Sequence, residues 1–368
     1  MTELIWDGKY DKDRRRVAPL RVALPFQTVE TVNESAQERQ RMLDLFSAGR
    51  DPEWRNRLIW GDKKYVLPAL LPEFAGKVDL IYIDPPFDTG ADFSFEVHVD
   101  GEDFTKEPSV IEQKAYRDTW GRGLESYLQW LYEGAILLRE LLSERGTIYV
   151  HLDARMVHYA RCVMDEVFGI DNFLCQIIWK RSSIRKASSK KWLSVDDLLL
   201  IYTKGPDFTF NLVYLPYSEE YKKRFNQKDE HGAYYWIDIG TYSQDRLDKL
   251  VSAGRVRFPS NAKAHPRIKH YLHEGKGVQP DNVWTDIIPV NSQAKEDTGY
   301  PTQKPEALLE RLMEASSNEG DLVLDCFCGS GSTPAVAERL GRRWIAADLG
   351  RFAIHTTRKR LLSVTGVG

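Results

Sequence analysis

Val78-Asp79-Leu80-Ile81-Tyr82-Ile83-Asp84-Pro85-Pro86-Phe87 is the stretch on which the fold turns. Its first six residues form an apolar run broken only by Asp79, the pattern of a strand buried on both faces. A carboxylate, two rigid prolines and an aromatic ring then emerge together at the strand's carboxyl end. In open α/β sheets ligands bind at that end. A rigid surface turn is the alternative for residues 84–87, and the buried strand in front of them argues against it.

Similar runs occur at residues 57–61, 146–152, 173–179, 198–203, 321–327 and 343–349. Together they predict a seven-stranded, doubly wound, mostly parallel α/β sheet covered on both faces. Helical periodicity falls at 124–144, 156–168, 305–316, 333–340 and 352–362, between strands, as βαβ units require. Residues 1–56 are polar and charge-mixed and read as an N-terminal arm with a candidate helix at 34–48. Residues 206–295 break the alternation. They are rich in Tyr, Trp, Lys, Arg and Gly, show no buried strand, and read as an inserted region.

The chain has 368 residues and a net charge of −3, so any nucleic-acid surface must be a local patch. Four cysteines, Cys162, Cys175, Cys326 and Cys328, form no C-x-x-C pair, which makes a reducing cytosol the default. No apolar run reaches the roughly 18 residues of a membrane span, and no targeting signal is expected. His265, His270 and His273 sit among basic residues and lack the spacing of a metal site.

Asp325-Cys326-Phe327-Cys328-Gly329-Ser330-Gly331 is the second landmark. It ends another buried strand and leads into a helix near Thr333. Two glycines one residue apart let the backbone turn sharply and approach a ligand. Pro334 breaks the G-x-G-x-x-G dinucleotide signature, which argues against a plain NAD site. Asp348 ends the next strand, where an acid can hold ribose hydroxyls or cap a helix. Beside the glycine turn, the nucleoside reading is favoured. Cys326 and Cys328 flank Phe327 and read as small buried residues.

The tetrad at 84–87 together with residues 325–333 resembles the amino-methylating DNA methyltransferases that use S-adenosylmethionine. The order is similar to their circularly permuted beta group, which includes type III modification subunits, because the catalytic strand precedes the glycine turn. The resemblance implies a Rossmann-like methyltransferase fold with a catalytic half at 57–205, a target-recognition insert at 206–295 and a cofactor half at 296–368. It implies that Asp62 meets the cofactor adenine and that Thr302, Gln303, Lys304 and Pro305 close over the methionine end. Asp84, Asp325, Phe327, Cys328, Gly329, Ser330, Gly331, Thr333, Asp348 and Leu349 complete the expected cofactor contacts. Duplex DNA is the expected partner, with a homodimer and a restriction subunit as family options, in a prokaryotic cytoplasm.

The chemistry needs an acceptor amine with an exposed lone pair. Asp84 and the carbonyl of Pro85 can each accept a hydrogen from an adenine amine, Pro85 and Pro86 hold these acceptors in place, and Phe87 offers a stacking face. A base must leave the duplex to reach them. Lys180, Arg181, Arg185, Lys186, Lys190 and Lys191 form a loop without an acid, expected to contact phosphates, against the alternative of a solvated loop. Residues 88–122 are a candidate flap. Cytosine N4 remains open as acceptor, although Asp rather than Ser at position 84 favours adenine. An inactive DNA-binding subunit, or a methyltransferase for RNA or protein, fits the intact acid and glycines less well.

Overall fold

The computed structural model of the chain describes residues 3–31, 54–86, 95–99, 102–106, 123–182, 190, 192–239, 243–259, 265–291 and 293–364. The candidate helix at 34–48 lies outside these residues, as do Phe87, Arg185, Lys186 and Lys191. Of the candidate flap, only the backbone of a hairpin is described.

The chain divides into two compact units, residues Met1–Asn211 with Asn282–Gly368, and residues Leu212–Asp281. The first unit begins with β1 (Arg57–Trp60), α1 (Lys63–Phe74) and β2 (Val78–Ile83), followed by the hairpin β3 (Phe95–Val99) and β4 (Glu102–Lys106). Next come α2 (Leu124–Leu141), β5 (Leu142–Asp153), α3 (Val157–Phe168), β6 (Phe173–Lys180) and β7 (Asp196–Thr203). The second unit holds α4 (Glu219–Lys222), β8 (Gln227–Asp229), β9 (Gly232–Asp238), α5 (Gln244–Ser252), β10 (Val256–Arg257) and β11 (Arg267–Tyr271). The first unit resumes with β12 (Val283–Trp284), α6 (Glu306–Ser316), β13 (Leu322–Asp325), α7 (Ser332–Arg339), β14 (Arg343–Asp348) and α8 (Arg351–Val364).

The main sheet runs β1-β14-β13-β2-β5-β7-β6-β12. It is parallel throughout except where β7 pairs antiparallel with β5 and β6. Among the described residues it has eight strands rather than the expected seven. The extra strand is the two-residue β12, too short to leave a period in the sequence, and Trp284 buries there against β6.

The two-face apolar runs have a direct cause. Ile81, Ile83, Ile148, Val150 and Leu200 pack into one core with residues of α1, α2 and α3, while Leu80, Tyr82, Tyr149 and Leu199 pack into a second with residues of α6 and α7. Alternate residues of one strand thus enter opposite layers, which is the doubly wound arrangement. Asp79 is the polar exception in β2, and it is satisfied: its carboxylate accepts from Ser143 Oγ (3.1 Å) and the Leu322 amide (2.9 Å).

Three elements depart from expectation. Helix α1 contains Pro68 and Pro72, which lack the helical N–H donor, yet Val66, Leu67, Leu70 and Phe74 bury its face on the sheet. The expected helix at 124–144 stops at Leu141, and residues from Leu142 enter β5. The second unit, where the sequence shows no buried strand, contains a four-stranded antiparallel sheet, β10-β11-β9-β8. Its strands are short and mixed in polarity, so no buried run marks them; Tyr234 and Tyr271 pack together on one face, and Phe225 packs against Tyr235 and His270 on the other. That unit is also shorter than the 206–295 insert.

Residues 3–31 are held against the first unit. Trp6 is buried, donates Nε1–H to Gln129 (2.9 Å) and meets Tyr132 edge-on. The buried Lys9 ammonium lies between Glu3 (2.6 Å) and Glu166 (2.7 Å). At the other end of the segment, Glu30 pairs with Arg358 of α8.

Leu324 is fully buried at the centre of the sheet. Replacing it by Ala removes side-chain volume that neighbouring strands cannot refill, at a cost of about 2–5 kcal/mol. Denaturant unfolding of Leu324→Ala is expected to show a lower midpoint; an unchanged midpoint would place Leu324 outside the core.

Candidate active site

Two motifs about 240 residues apart in the chain meet because β13 and β2 are adjacent and parallel. Val323 lies opposite Leu80 and Leu324 opposite Ile81. Asp325 therefore ends its strand level with Tyr82, and Asp84 follows two residues later at the same sheet edge. From this pair of strands the chain winds outward in opposite directions, to β14 on one side and to β5 on the other. That is the switch point at which open α/β sheets bind ligands.

Asp84 is mostly enclosed, with its side chain 18% exposed, and its Oδ2 pairs with the Lys304 ammonium. Its Oδ1 is buried and has no hydrogen-bond partner among the described residues. Pro85 is buried and Pro86 half-buried. Lys304 comes from the expected closing segment. Gln303 braces that segment, accepting from Thr298 N–H (3.0 Å) and Oγ1–H (2.6 Å) and donating to the Glu296 carbonyl (2.6 Å). Pro305 then leads into α6.

The glycine turn is pinned from behind. Gly331 has φ 78°, and a Cβ there would lie 2.7 Å from Thr357 Oγ1, so only glycine fits. Cys328 N–H donates to the Ala347 carbonyl (3.0 Å), and Thr357 Oγ1 donates to the Gly329 carbonyl (3.1 Å). Asp348 accepts from the amides of Gly329 (2.9 Å) and Gly350 (2.7 Å). It thus ties the glycine turn to the residue ahead of α8 rather than capping that helix directly, and its oxygens retain lone pairs that a ribose could share. On the neighbouring strand, Asp62 caps α1 by accepting from Lys64 N–H (2.8 Å), and Trp60 Nε1–H donates to the Leu349 carbonyl (2.9 Å). Asp62, Asp348 and Leu349 therefore share one corner. Ser330, Ser332 and Thr333 are buried in the turn, and Cys326 and Cys328 pack into opposite core layers.

Asp325 is 2% exposed. Burial, with the nearby charges of Asp84 and Asp348, pushes its carboxyl up to about 7, against hydrogen bonds from Thr333 and the Phe327 amide that favour the ionised form. Phe327 packs on Trp130 at 5.4 Å, and the Lys63 ammonium lies over the Trp130 ring, 4.0 Å from its centroid. Burial pushes the Lys63 ammonium down to about 8.

Beneath Asp84 lies a network that the motifs did not reveal. Tyr82 Oη meets His151 Nδ1 (2.9 Å), His151 Nε2 meets Asp197 Oδ2 (3.2 Å), and Arg181 Nε reaches Asp197 Oδ1 (2.8 Å). His151 is fully buried. Burial alone would raise the Asp197 carboxyl, but the His151 hydrogen bond and the charges of His151, Lys304 and Arg181 hold it below the usual carboxylate range. The sequence signal was a histidine inside an apolar strand. Of the basic loop, Lys180, Arg181 and Lys190 are described. β6 runs parallel to β5 through the intervening antiparallel β7, so Lys180 and Arg181 emerge at the same sheet edge as Asp84. In the second unit, His270 packs among Phe225 and Tyr235, and His273 against Tyr271.

Residues 78–359 match the family described as DNA methylase. The chain belongs to this DNA methylase family. It is 31% identical over 330 residues to the type II methyltransferase M.EcaI of Enterobacter cloacae, across 83% of this chain and 69% of that one. It is 27% identical over 320 residues to the Mod subunit of the type III restriction-modification enzyme StyLTI of Salmonella typhimurium. That match covers 76% of this chain and 49% of the Mod subunit, so this methylase spans about half of that relative. The DNA adenine methyltransferase YhdJ of Escherichia coli is 28% identical over 305 residues, covering 83% of this chain and 82% of YhdJ. Among the described residues, no helix is long and apolar enough to cross a membrane.

Asp325 also sets a pH dependence. Its folded value lies above the ordinary 3.8, so the protonated form is favoured in the fold. The stability it contributes is complete below about 3.8 and is lost as pH rises toward about 7. Asp325→Asn keeps the acceptor for the Phe327 amide but cannot ionise. Thermal melts of this variant are expected to decline less between pH 4 and 7 than those of the natural chain. Parallel pH curves for the two proteins would assign the dependence to another group.

Proposed function

We propose that this DNA methylase transfers a methyl group from S-adenosylmethionine to the N6 amine of adenine in duplex DNA. The observation that carries the proposal is Asp84 Oδ1, a buried acceptor without a partner among the described residues, set at the switch point beside the glycine turn. The residues around that turn fit the methyl donor. Asp62 and Asp348 offer acceptors for its adenine and ribose, buried Asp325 offers a carboxyl for its ammonium end, and Gly329 and Gly331 let the backbone come close. When bound, the cofactor supplies an electrophilic methyl on a good leaving group.

The protein's part is to prepare the acceptor nitrogen. Asp84 and the Pro85 carbonyl take the two amine hydrogens and turn the lone pair out of conjugation with the ring. That lone pair forms the new N–C bond, the S–C bond electrons remain on sulfur, and the nitrogen sheds one proton to solvent. Pro85 and Pro86 restrict the backbone and keep both acceptors fixed in advance. Asp at position 84 and the likeness to YhdJ both support adenine. The second unit is read as the target-recognition region. Kinship with M.EcaI and the StyLTI Mod subunit supports a restriction-modification setting in the bacterial cytoplasm, with a restriction subunit or a second copy of the chain as partner.

Asp84→Ala is expected to reduce transfer of labelled methyl to DNA by on the order of 10²–10³, with cofactor binding by calorimetry largely retained. Mass spectrometry of nucleosides from DNA treated with the natural chain is expected to show N6-methyladenine. N4-methylcytosine alone would move the acceptor to cytosine, and no methylated base would sink the reading. Arg181→Ala should weaken DNA binding and flatten the log–log salt dependence by about one phosphate contact. An unaltered slope would remove Arg181 from the phosphate surface.

A further inference from the structure

Lys304 was expected to contact the cofactor, yet its ammonium sits on Asp84 Oδ2 with only 12% of the side chain exposed. The backbone that delivers it is tied on both sides. Thr302 has φ 69°, a strained value for a β-branched residue. The Gln303 brace to Thr298 and Glu296 follows at once. After Pro305, the Glu306 amide donates to the Glu296 carboxylate (2.8 Å). The Lys304 carbonyl accepts from Ser332 Oγ (2.8 Å), at the start of α7 directly behind the glycine turn. A lysine held this way is part of the fixed frame.

An ammonium can only donate. By taking Oδ2 it orients the carboxylate and leaves Oδ1 as the oxygen on which an incoming donor can act. A buried oxygen without a donor is unfavourable, and an amine hydrogen would relieve it. The charge of Lys304 also reaches Asp197 from β7 and helps to hold its carboxyl down, while the charge of Asp84 helps to raise the Asp325 carboxyl on β13.

On the methyltransferase reading above, we propose that Lys304 is a positioning residue that assigns the two oxygens of Asp84, Oδ2 to itself and Oδ1 to the acceptor amine. It acts on transfer through Asp84 and makes no required contact with the methyl donor. The role separates Lys304 from Thr302, Gln303 and Pro305, which shape the segment.

The test uses the full chain with Lys304→Met, Lys304→Arg and Asp84→Ala beside the natural protein. Single-turnover transfer to DNA, cofactor affinity and DNA affinity are measured for each. Lys304→Met is expected to slow transfer at least about tenfold, less than the loss of a direct acceptor, while both affinities change by less than about threefold, within ordinary context effects. Lys304→Arg should recover much of the rate, because a guanidinium can also hold Oδ2. Should Lys304→Met fail to fold, as judged by lost cofactor binding and an early melt, Lys304→Gln carries the same test.

Transfer unaffected in the Met variant would show that the ion pair is idle. Cofactor affinity falling in step with the rate would return Lys304 to the donor site. Faster transfer or tighter DNA binding in the Met variant would show that Lys304 obstructs the acceptor pocket. Each of these overturns the proposal. A natural chain that methylates no DNA, or an Asp84→Ala variant of full activity, would instead strike the underlying function.

Discussion

The parallel ladder between β2 and β13 is the contact on which the remaining geometry depends. Two residue pairs, Val323 with Leu80 and Leu324 with Ile81, set its register. A slip of one residue would turn every side chain of the strand to the opposite layer. Leu324 would leave its core and Asp325 would lose its place against the turn. The register is held by burial on both faces and by the Asp79 carboxylate, which reaches Leu322 on one neighbour and Ser143 on the other. A polar group inside the apolar strand therefore acts as a pin, satisfied only when both adjacent strands are correctly placed.

That edge concentrates negative charge. Asp84, Asp325 and Asp348 lie close enough for Asp325 to respond to the other two. Buried acids in such proximity are tolerated only when protonated or paired. The site uses both solutions. Asp325 is pushed toward its neutral form at neutral pH, Asp84 is paired with Lys304, and Asp348 is held by two backbone amides. A cationic methyl donor would add favourable charge to an edge already rich in acids, so the same electrostatics that cost stability in the free protein favour the ligand.

Strand positions were legible where burial is two-sided. β2, β7, β13 and β14 carry apolar runs buried on both faces, and their limits agree with the sequence within a residue or two. Helix α1 was hidden because Pro68 and Pro72 are poor helix residues by local preference, and only packing on the sheet overrides that. Residues from Leu142 continue the helical leucine period of α2 yet belong to β5. The strands of the second unit alternate small, charged and aromatic residues, and nothing local distinguishes them from loop. In the site, Asp84 and the glycine turn were legible because their chemistry sits in contiguous residues. The pairing of Lys304 with Asp84 was not, because the two lie 220 residues apart.

His151 shows the same limit and what lies beyond it. A histidine in an apolar strand carries no local message; its meaning comes from Asp197, 46 residues on, and from Tyr82 on the adjacent strand. The pairing fixes which nitrogen faces which partner. The ionised Asp197 carboxylate can only accept, so Nε2 carries the hydrogen of that bond, and Nδ1 faces the Tyr82 hydroxyl. Burial, with the nearby acids, pushes the Tyr82 phenol well up, so it remains a donor. The outer end of the network is Arg181, whose Nε is committed to Asp197 while the residue stays 44% exposed. One edge of the guanidinium is anchored in the protein, and the exposed remainder could donate to an anion. A phosphate bound there would be connected by hydrogen bonds, through β7 and β5, to the strand that carries Asp84. On the proposed function, a bound DNA backbone and the acceptor site would thus be joined through neighbouring strands of one sheet.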